Sequence, residues 1–474
     1  MSAQINAYRA IFWETEASNG STLNLFKGIQ LSIQAFYTRD DDLGQRPGSS
    51  LNHATPPSDA ERIACPDCGL VQLLPTPGHG QKAECGRCGK VLAGSATGRI
   101  GAPLALASAS LALLVPATVA PLMLVSSYGA SRESWLPSSA SALWQDGFPS
   151  LGLLVAVFSI ALPFVFLGLL IWVLGSLHFG MRAPVGPAFR WTKHLRPWVM
   201  IEVYLVGCFV SYSRIKVVST VTIEAGGWSL VAAGLVLLVA LTQLDERTVW
   251  EMLRPGSVAR RASQRVASAH AESISCTICD LIVGAAAAGQ HCPRCGAKLH
   301  RRKAASVQRT LALVIAGYLL YIPANTLPVL TTVQFGREEH NTIMSGVIEL
   351  IRNDLWPLAV IVFTASIILP LLKLFGLTWM LAATRAGSRR FLVTRTRLYR
   401  SIDAIGRWSN IDIFSVSVLV AVLQFGSLTA VHAGGGLVAF AAVVIITMVA
   451  TMVFDPRLMW DASGARSRAL AKRK

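Results

Sequence analysis

Charged side chains are scarce in this chain of 474 residues. Asp, Glu, Lys and Arg together make up 15% of it, whereas a soluble protein has about a quarter. Hydrophobic residues make up 53%, and the mean hydropathy is +0.49. So little polar surface cannot cover a soluble fold of this size, and the composition therefore indicates a membrane protein.

Sequence signals of catalysis are also missing. The chain has no G-x4-G-K-[ST] phosphate-binding loop, so we expect that it does not hydrolyse ATP by itself. No Ser/His/Asp set and no open metal site converge in the apolar segments. We therefore expect a protein that is not an enzyme, with no secretory signal peptide at its polar start.

Eight apolar segments have the length of roughly 20 residues that a helix needs to cross the hydrocarbon core. They lie at about 101–125, 150–177, 198–218, 228–244, 309–332, 355–383, 411–431 and 434–454. The sequence thus predicts a polytopic α-helical membrane protein with eight transmembrane helices.

The net charge of +17 is concentrated in alternate loops, near 182–196, 247–309, 385–407 and 457–474. This alternation follows the positive-inside rule, which places the basic loops, both termini and both cysteine clusters in the cytoplasm. A basic inner face that contacts anionic lipid explains the charge better than nucleic acid does, so we expect no nucleic-acid partner.

The same landmarks occur twice, at offsets of 207–211 residues. The matching pairs are Pro116 and Pro323, Pro121 and Pro328, Pro163 and Pro370, Trp198 and Trp408, and Glu202 and Asp412. Each copy has four spans, so both have the same orientation, as in a parallel repeat. The interface between two such bundles can house a path for a substrate or can be an inert seam.

These landmarks predict the domain organisation. We expect a leader that is disordered or lies on the membrane surface, then a ribbon and a four-helix module, a cytoplasmic linker, a second ribbon and module, and a basic tail. The boundaries are 1–60, 61–98, 99–254, 255–273, 274–303, 304–462 and 463–474.

Two clusters of the form C-x2-C, spacer, C-x2-C precede the two groups of spans, with spacers of sixteen and twelve residues. Four thiolates suit a closed tetrahedral Zn²⁺ site, which is structural rather than catalytic. Iron is the less favoured metal, disulfides are unlikely in the cytoplasm, and a role in sensing metal or redox state stays open. The predicted ligands are Cys65, Cys68, Cys85, Cys88, Cys276, Cys279, Cys292 and Cys295.

A few polar side chains fall inside the predicted spans. Lys373 lies near the middle of the sixth span, where a lysine costs about 2.5–3.5 kcal/mol, so we expect it to face a polar interior. Asp412 is its nearest expected partner, and Ser366 lies seven residues before it on the same helix face. Glu202 completes this candidate network, although Glu202 and Asp412 could equally cap or snorkel at the interface.

Two Pro-x4-Pro pairs lie in the first and fifth spans. Proline removes helix hydrogen bonds, so these kinks are candidate hinges or cavity walls, or simply packing kinks. The residues concerned are Pro116, Pro121, Pro323 and Pro328, together with Asn325, whose amide could satisfy freed carbonyls. Segments 138–144 and 343–350 indicate short amphipathic helices outside the spans.

Taken together, these motifs resemble the paraquat-inducible protein A (PqiA) family. The resemblance rests on the ribbons before four spans and on 322–328 (IPANTLP), 405–414 (IGRWSNIDIF) and 454–457 (FDPR), while 198–207 (WVMIEVYLVG) is similar to the LetA (YebS) branch. It covers residues 62–462. Glu202 and Thr118 depart from the family pattern, in which Asp and Asn are usual.

The resemblance implies a multi-pass protein of the Gram-negative inner membrane that works with a periplasmic MCE (mammalian cell entry) protein. It would pass phospholipids between the inner membrane and the MCE tunnel and so maintain the outer-membrane barrier. Two alternatives remain at this point: a membrane scaffold that anchors the tunnel without transport, or a zinc- or redox-sensing membrane protein.

Overall fold

The structure is a computed structural model of the chain. It describes residues 61–74, 81–94, 100–127, 130–181, 185–217, 219–253, 273–334, 337–424 and 429–471. The expected leader and residues 255–272 of the expected linker lie outside these ranges.

The helices fall into two groups, which we call module 1 (α1–α8) and module 2 (α9–α16). Module 1 contains α1 Gly101–Val119, α2 Ser138–Gln145, α3 Pro149–Ala156, α4 Leu162–His178, α5 Val185–Leu195, α6 Ile201–Ile215, α7 Ala225–Gln243 and α8 Glu246–Leu253. Module 2 contains α9 Ser306–Thr326, α10 Ile343–Arg352, α11 Trp356–Phe363, α12 Leu369–Arg385, α13 Leu392–Ile405, α14 Ile411–Val422, α15 Gly435–Val453 and α16 Arg457–Ala471.

Short strands accompany both modules. They are β1 Glu61–Ala64, β2 Val71–Leu74, β3 Lys82–Glu84, β4 Val91–Gly94, β5 Met123–Ser127, β6 Ala130–Ser134, β7 Thr220–Ile223, β8 Ser273–Ser275, β9 Ile282–Gly284, β10 Leu330–Gln334, β11 Arg337–Asn341 and β12 Thr429–Ala433.

Eight helical segments of the described chain are long and apolar enough to cross a membrane, which confirms the expected number. Four are the single helices α1, α7, α9 and α15. The other four join two helices each: α3 with α4, α5 with α6, α11 with α12, and α13 with α14. The segment made of α13 and α14 is the most enclosed of the eight, so it lies at the centre of the bundle.

The first and fifth spans are shorter than their apolar runs suggest. Helices α1 and α9 end at Val119 and Thr326, just before Pro121 and Pro328, and the apolar residues that follow form strands β5 and β10. Proline cannot continue the helical hydrogen-bond pattern, and this explains the early stop.

The strands after these helices build two three-stranded antiparallel sheets that the sequence reasoning missed. Their orders are β6-β5-β7 in module 1 and β11-β10-β12 in module 2. In the first sheet, Val125 pairs with Arg132 on one side and with Val221 on the other. The two predicted short helices, α2 and α10, are confirmed beside these sheets.

The bundle therefore has two distinct ends. We call the end that carries the two sheets the sheet end, and the end that carries the cysteine-containing hairpins the ribbon end. Successive spans run alternately between them, so α6 ends at the sheet end and α13 lies at the ribbon end.

The two modules pack against each other along α6 and α14, a contact that we call the seam. Gly207 of α6 faces the α14 backbone so closely that an added Cβ would lie 2.9 Å from Cβ of Phe414 and 3.1 Å from the Ser415 nitrogen. The Ser211 hydroxyl, one turn further along, donates to the Ser415 carbonyl at 2.9 Å. Small residues and interhelical hydrogen bonds are what hold helices together in lipid.

The second and sixth spans each contain a π-helical turn, Val157–Ala161 and Thr364–Ile368, directly before Pro163 and Pro370. Such turns are a known response to a proline that interrupts the helical ladder. Each turn holds a buried serine whose hydroxyl donates to a carbonyl four residues earlier: Ser159 to Val155 at 2.7 Å and Ser366 to Val362 at 2.6 Å.

Candidate functional site

The eight predicted cysteines form two clusters, each with all four sulfur atoms within 4.8 Å of one another. We call the hairpins β1–β4 with the first cluster ribbon 1, and residues 273–303 with the second ribbon 2. The closest Sγ–Sγ distances are 3.5 Å for Cys65–Cys88, 3.6 Å for Cys68–Cys85, 3.5 Å for Cys276–Cys295 and 3.6 Å for Cys279–Cys292.

These distances fit a metal site. Disulfide sulfurs lie about 2.05 Å apart, so the thiols are not crosslinked. Four sulfurs bound tetrahedrally to one Zn²⁺ at about 2.3 Å would lie about 3.8 Å apart, close to the spacing found here. After each of the four C-x2-C pairs the chain turns with a positive φ, at Gly69, Gly89, Asp280 and Gly296.

Ribbon 1 precedes module 1 in the sequence but packs on module 2. Arg400 of α13 donates through Nε to the Asp67 carboxylate at 2.7 Å and through Nη2 to the Cys88 carbonyl at 2.6 Å. Lys90 also bonds to Asp67, and the guanidinium of Arg87 lies 4.3 Å from the ring centre of Trp460. The ribbon is thus tied to α13 and α16.

Ribbon 2 precedes module 2 but contacts module 1. Lys193 of α5 donates to the Ile278 carbonyl at 2.6 Å, and Arg294 donates to the carbonyl of Trp250 in α8 at 3.3 Å. Lys193 also forms a 2.8 Å ion pair with Glu246. Each ribbon therefore bonds to the module that it does not precede, an arrangement that the linear order of the sequence does not reveal.

A buried ion pair holds the ribbon end of module 2. Arg457 donates to Asp455 at 2.9 and 2.8 Å, and the Lys303 amide donates to the same carboxylate at 3.1 Å. Burial alone would raise the pKa of Asp455, but these hydrogen bonds and the charge of Arg457 hold it below its usual value. The pair joins the ends of α9 and α15 beside ribbon 1.

Lys373 is 2% exposed and points to the turn between α13 and α14. Its ammonium donates to the Gly406 carbonyl at 2.7 Å and approaches the Thr447 hydroxyl of α15 at 3.5 Å. Within the described residues no ion pair joins it to Asp412, the partner that the sequence suggested. The backbone carbonyl that the turn leaves free takes that place.

The other members of the expected network lie apart from Lys373. Asp412 is 8% exposed and lines a cavity at the seam, Ser366 bonds within its own helix, and Glu202 is half-buried on module 1. The structure thus does not join the four side chains directly. The sequence argument assumed an uninterrupted α-helix between Ser366 and Lys373, whereas a π-helical turn intervenes.

The prolines divide into two kinds. Pro116 and Pro323 lie in the last turns of α1 and α9, and the amide of Asn325 donates to the Tyr321 carbonyl at 2.9 Å. Pro121 and Pro328 lie beyond the helices, where their carbonyls accept hydrogen bonds from the amides of Gly226 at 3.0 Å and Gly436 at 2.9 Å. The predicted hinge or cavity-wall role stays a prediction.

A cavity of about 170 Å³ lies at the sheet end of the seam. Module 1 contributes the end of α6, and module 2 contributes β10, α10, α14 and parts of β12 and α15. Its wall is mainly apolar, with residues such as Val329, Leu350, Val416, Leu419 and Phe440.

Three ionisable side chains interrupt this apolar wall: Arg214, Glu349 and Asp412. Sequence reasoning noticed Arg214 only as a charge at the outer end of the third span and missed its place in the cavity. The signal that could have found it is its position in the same apolar segment as Glu202, on the helix that packs along the seam.

These features define a class: a multi-pass membrane protein with two four-cysteine metal sites and a cavity between two helical modules. The family model for paraquat-inducible protein A matches residues 100–254 and 307–463. The chain belongs to this family, as its motifs led us to expect.

Curated relatives cover almost the whole chain. The Escherichia coli K12 intermembrane transport protein PqiA is 31% identical over 85% of this chain and 96% of its own length. The lipophilic envelope-spanning tunnel protein A of the same strain is 28% identical over 87% and 94%. A probable intermembrane transport protein of Haemophilus influenzae is 24% identical over 84% and 95%. No solved structure is significantly similar to the chain.

Metal content tests the cysteine sites. We expect elemental analysis of the purified full chain to find two metal ions per chain, and the double substitution of Cys65 and Cys68 by Ser to reduce this to one. Cys208 lies in the third span outside both clusters, so Cys208→Ser is the matched control and should retain two ions. Wild-type protein without bound metal would contradict the assignment.

Proposed function

We propose that this protein is an inner-membrane component of an MCE-type lipid transport system. It passes phospholipids between the inner membrane and a periplasmic MCE tunnel and so maintains the outer-membrane barrier. The observation that carries the proposal is the cavity at the seam, which combines an apolar wall with a few charged groups, as an amphipathic substrate requires.

The wall formed by α10 also supports a lipid substrate. Its inner face presents buried Val347 and Leu350, whereas Met344, Ile348 and Ile351 are exposed on its outer face. An amphipathic helix of this kind at the edge of the bundle suits the boundary between membrane and water. A lipid could therefore approach the cavity along an apolar surface.

The relatives support the proposal by their names, which describe intermembrane transport and an envelope-spanning tunnel. The two matches of one family model, at 100–254 and 307–463, support a parallel repeat. In this proposal both ribbons hold structural Zn²⁺, because four buried thiols leave no open coordination position.

Topology follows from the basic ribbon end, which we propose lies in the cytoplasm together with both termini. In intact cells that retain the outer membrane's permeability to small reagents, we expect an inner-membrane-impermeant maleimide to label Ser131→Cys in β6 and not Arg385→Cys at the end of α12. Both positions are exposed. Labelling of Arg385→Cys alone would reverse the proposed orientation.

Lys373 provides the test of transport. In proteoliposomes supplied with the MCE partner, we expect Lys373→Met to lose most transfer of a fluorescent phospholipid while it still captures the MCE protein. The reason is that Lys373 braces the turn before α14, whose next helix lines the cavity. Lys216→Met, which changes an exposed lysine, should transfer lipid normally.

Two outcomes would count against parts of this account. If wild-type protein captures the MCE partner but moves no lipid, the chain is a scaffold. If Lys373→Met folds and transfers lipid as wild type does, this lysine has no part in transport. We also propose that a proton gradient drives the step through Lys373 and Asp412, so an imposed pH gradient that leaves wild-type transfer unchanged would exclude that energy source.

A further inference from the structure

Arg214 is an unpaired cation in a nearly closed environment. It lies at the end of α6 and lines the seam cavity, and its Nε is buried with no hydrogen-bond partner. No hydrogen bond or ion pair joins its guanidinium to another group in the part of the chain that the structure describes. An unpaired buried charge costs several kcal/mol, so the site favours a ligand that supplies negative charge.

Two carboxylates share the cavity with this cation. Asp412 of α14 and Glu349 of α10 both line it and both act electrostatically on Arg214, yet neither forms an ion pair with it. The three side chains come from three different helices around one space. The cavity thus offers one positive group and two negative groups, separated from one another.

The guanidinium and the cavity volume indicate the kind of ligand. A guanidinium offers a fork of N–H donors that matches phosphate oxygens in pairs. A space of about 170 Å³ is close to the roughly 150 Å³ cavities that hold a benzene molecule. It can therefore take a polar head group but not a whole phospholipid, whose acyl chains would remain outside against apolar surface.

We propose that Arg214 binds the phosphate of a zwitterionic phospholipid head group and that Glu349 and Asp412 hold its ammonium group. This inference rests on the proposed function, because it assigns a head-group site to the same cavity. An aminophospholipid such as phosphatidylethanolamine matches both signs of charge. Phosphatidylglycerol leaves the carboxylates unmatched, and diacylglycerol leaves Arg214 unmatched.

The direct test is lipid binding to the purified, delipidated full chain, measured by native mass spectrometry. We expect phosphatidylethanolamine to bind more tightly than phosphatidylglycerol and diacylglycerol. Arg214→Gln should weaken phosphatidylethanolamine binding at least about tenfold, since hydrogen bonds to charged groups are the strong ones. Lys216→Gln, two residues away and outside the cavity lining, is the matched control and should bind as wild type does.

Further arms separate the possible results. Arg214→Lys keeps the charge without the fork and should bind with intermediate affinity, while retained metal content shows that each variant is folded. If inorganic phosphate competes as well as the lipid does, the site recognises free phosphate and the proposal is wrong. Equal binding by Arg214→Gln and Lys216→Gln would also overturn it. Wild type that binds no lipid would instead refute the proposed function.

Discussion

The close contact between α6 and α14 is the constraint on which the rest of the structure depends. Lipid tails are as apolar as leucine, so helices in a membrane gain little from hydrophobic burial and must approach closely to hold together. Gly207 permits that approach, because its missing side chain leaves room for the α14 backbone at Phe414 and Ser415. The Ser211 hydroxyl then adds a hydrogen bond across the contact. The crossed ribbons tie the same two modules together at the other end.

The two modules share a scaffold but not a site. Lys373 of module 2 has Phe166 at the matching position of module 1, and the cavity wall belongs mostly to module 2. Module 1 supplies the end of α6, with Arg214. An apolar wall with a few separated charges can hold a head group without closing around a whole lipid. Transport then depends on the seam, because the seam sets the distance between Arg214 and the groups on module 2.

Much of this architecture could be predicted from the sequence, because apolar length and cysteine spacing are local signals. The eight spans and the two short helices α2 and α10 are confirmed. The two sheets were missed because β5 and β10 continue apolar helices and only the prolines mark the change. The partner of Lys373 and the position of Arg214 depend on which helices meet in space. So does the crossing of the ribbons, since Arg400 lies more than 300 residues from Asp67.

Substitution of Gly207 tests the central claim most directly, namely that the seam sets the geometry of the cavity. Gly207→Leu forces a side chain into the α14 backbone, and overpacking of this kind costs about 1–3 kcal/mol or more. Gly168→Leu is the control, because nothing lies within 4 Å of a Cβ built there. We predict that Gly207→Leu alone lowers the thermal unfolding temperature and the lipid affinity of the purified chain. Wild-type stability and lipid binding in Gly207→Leu would contradict the account.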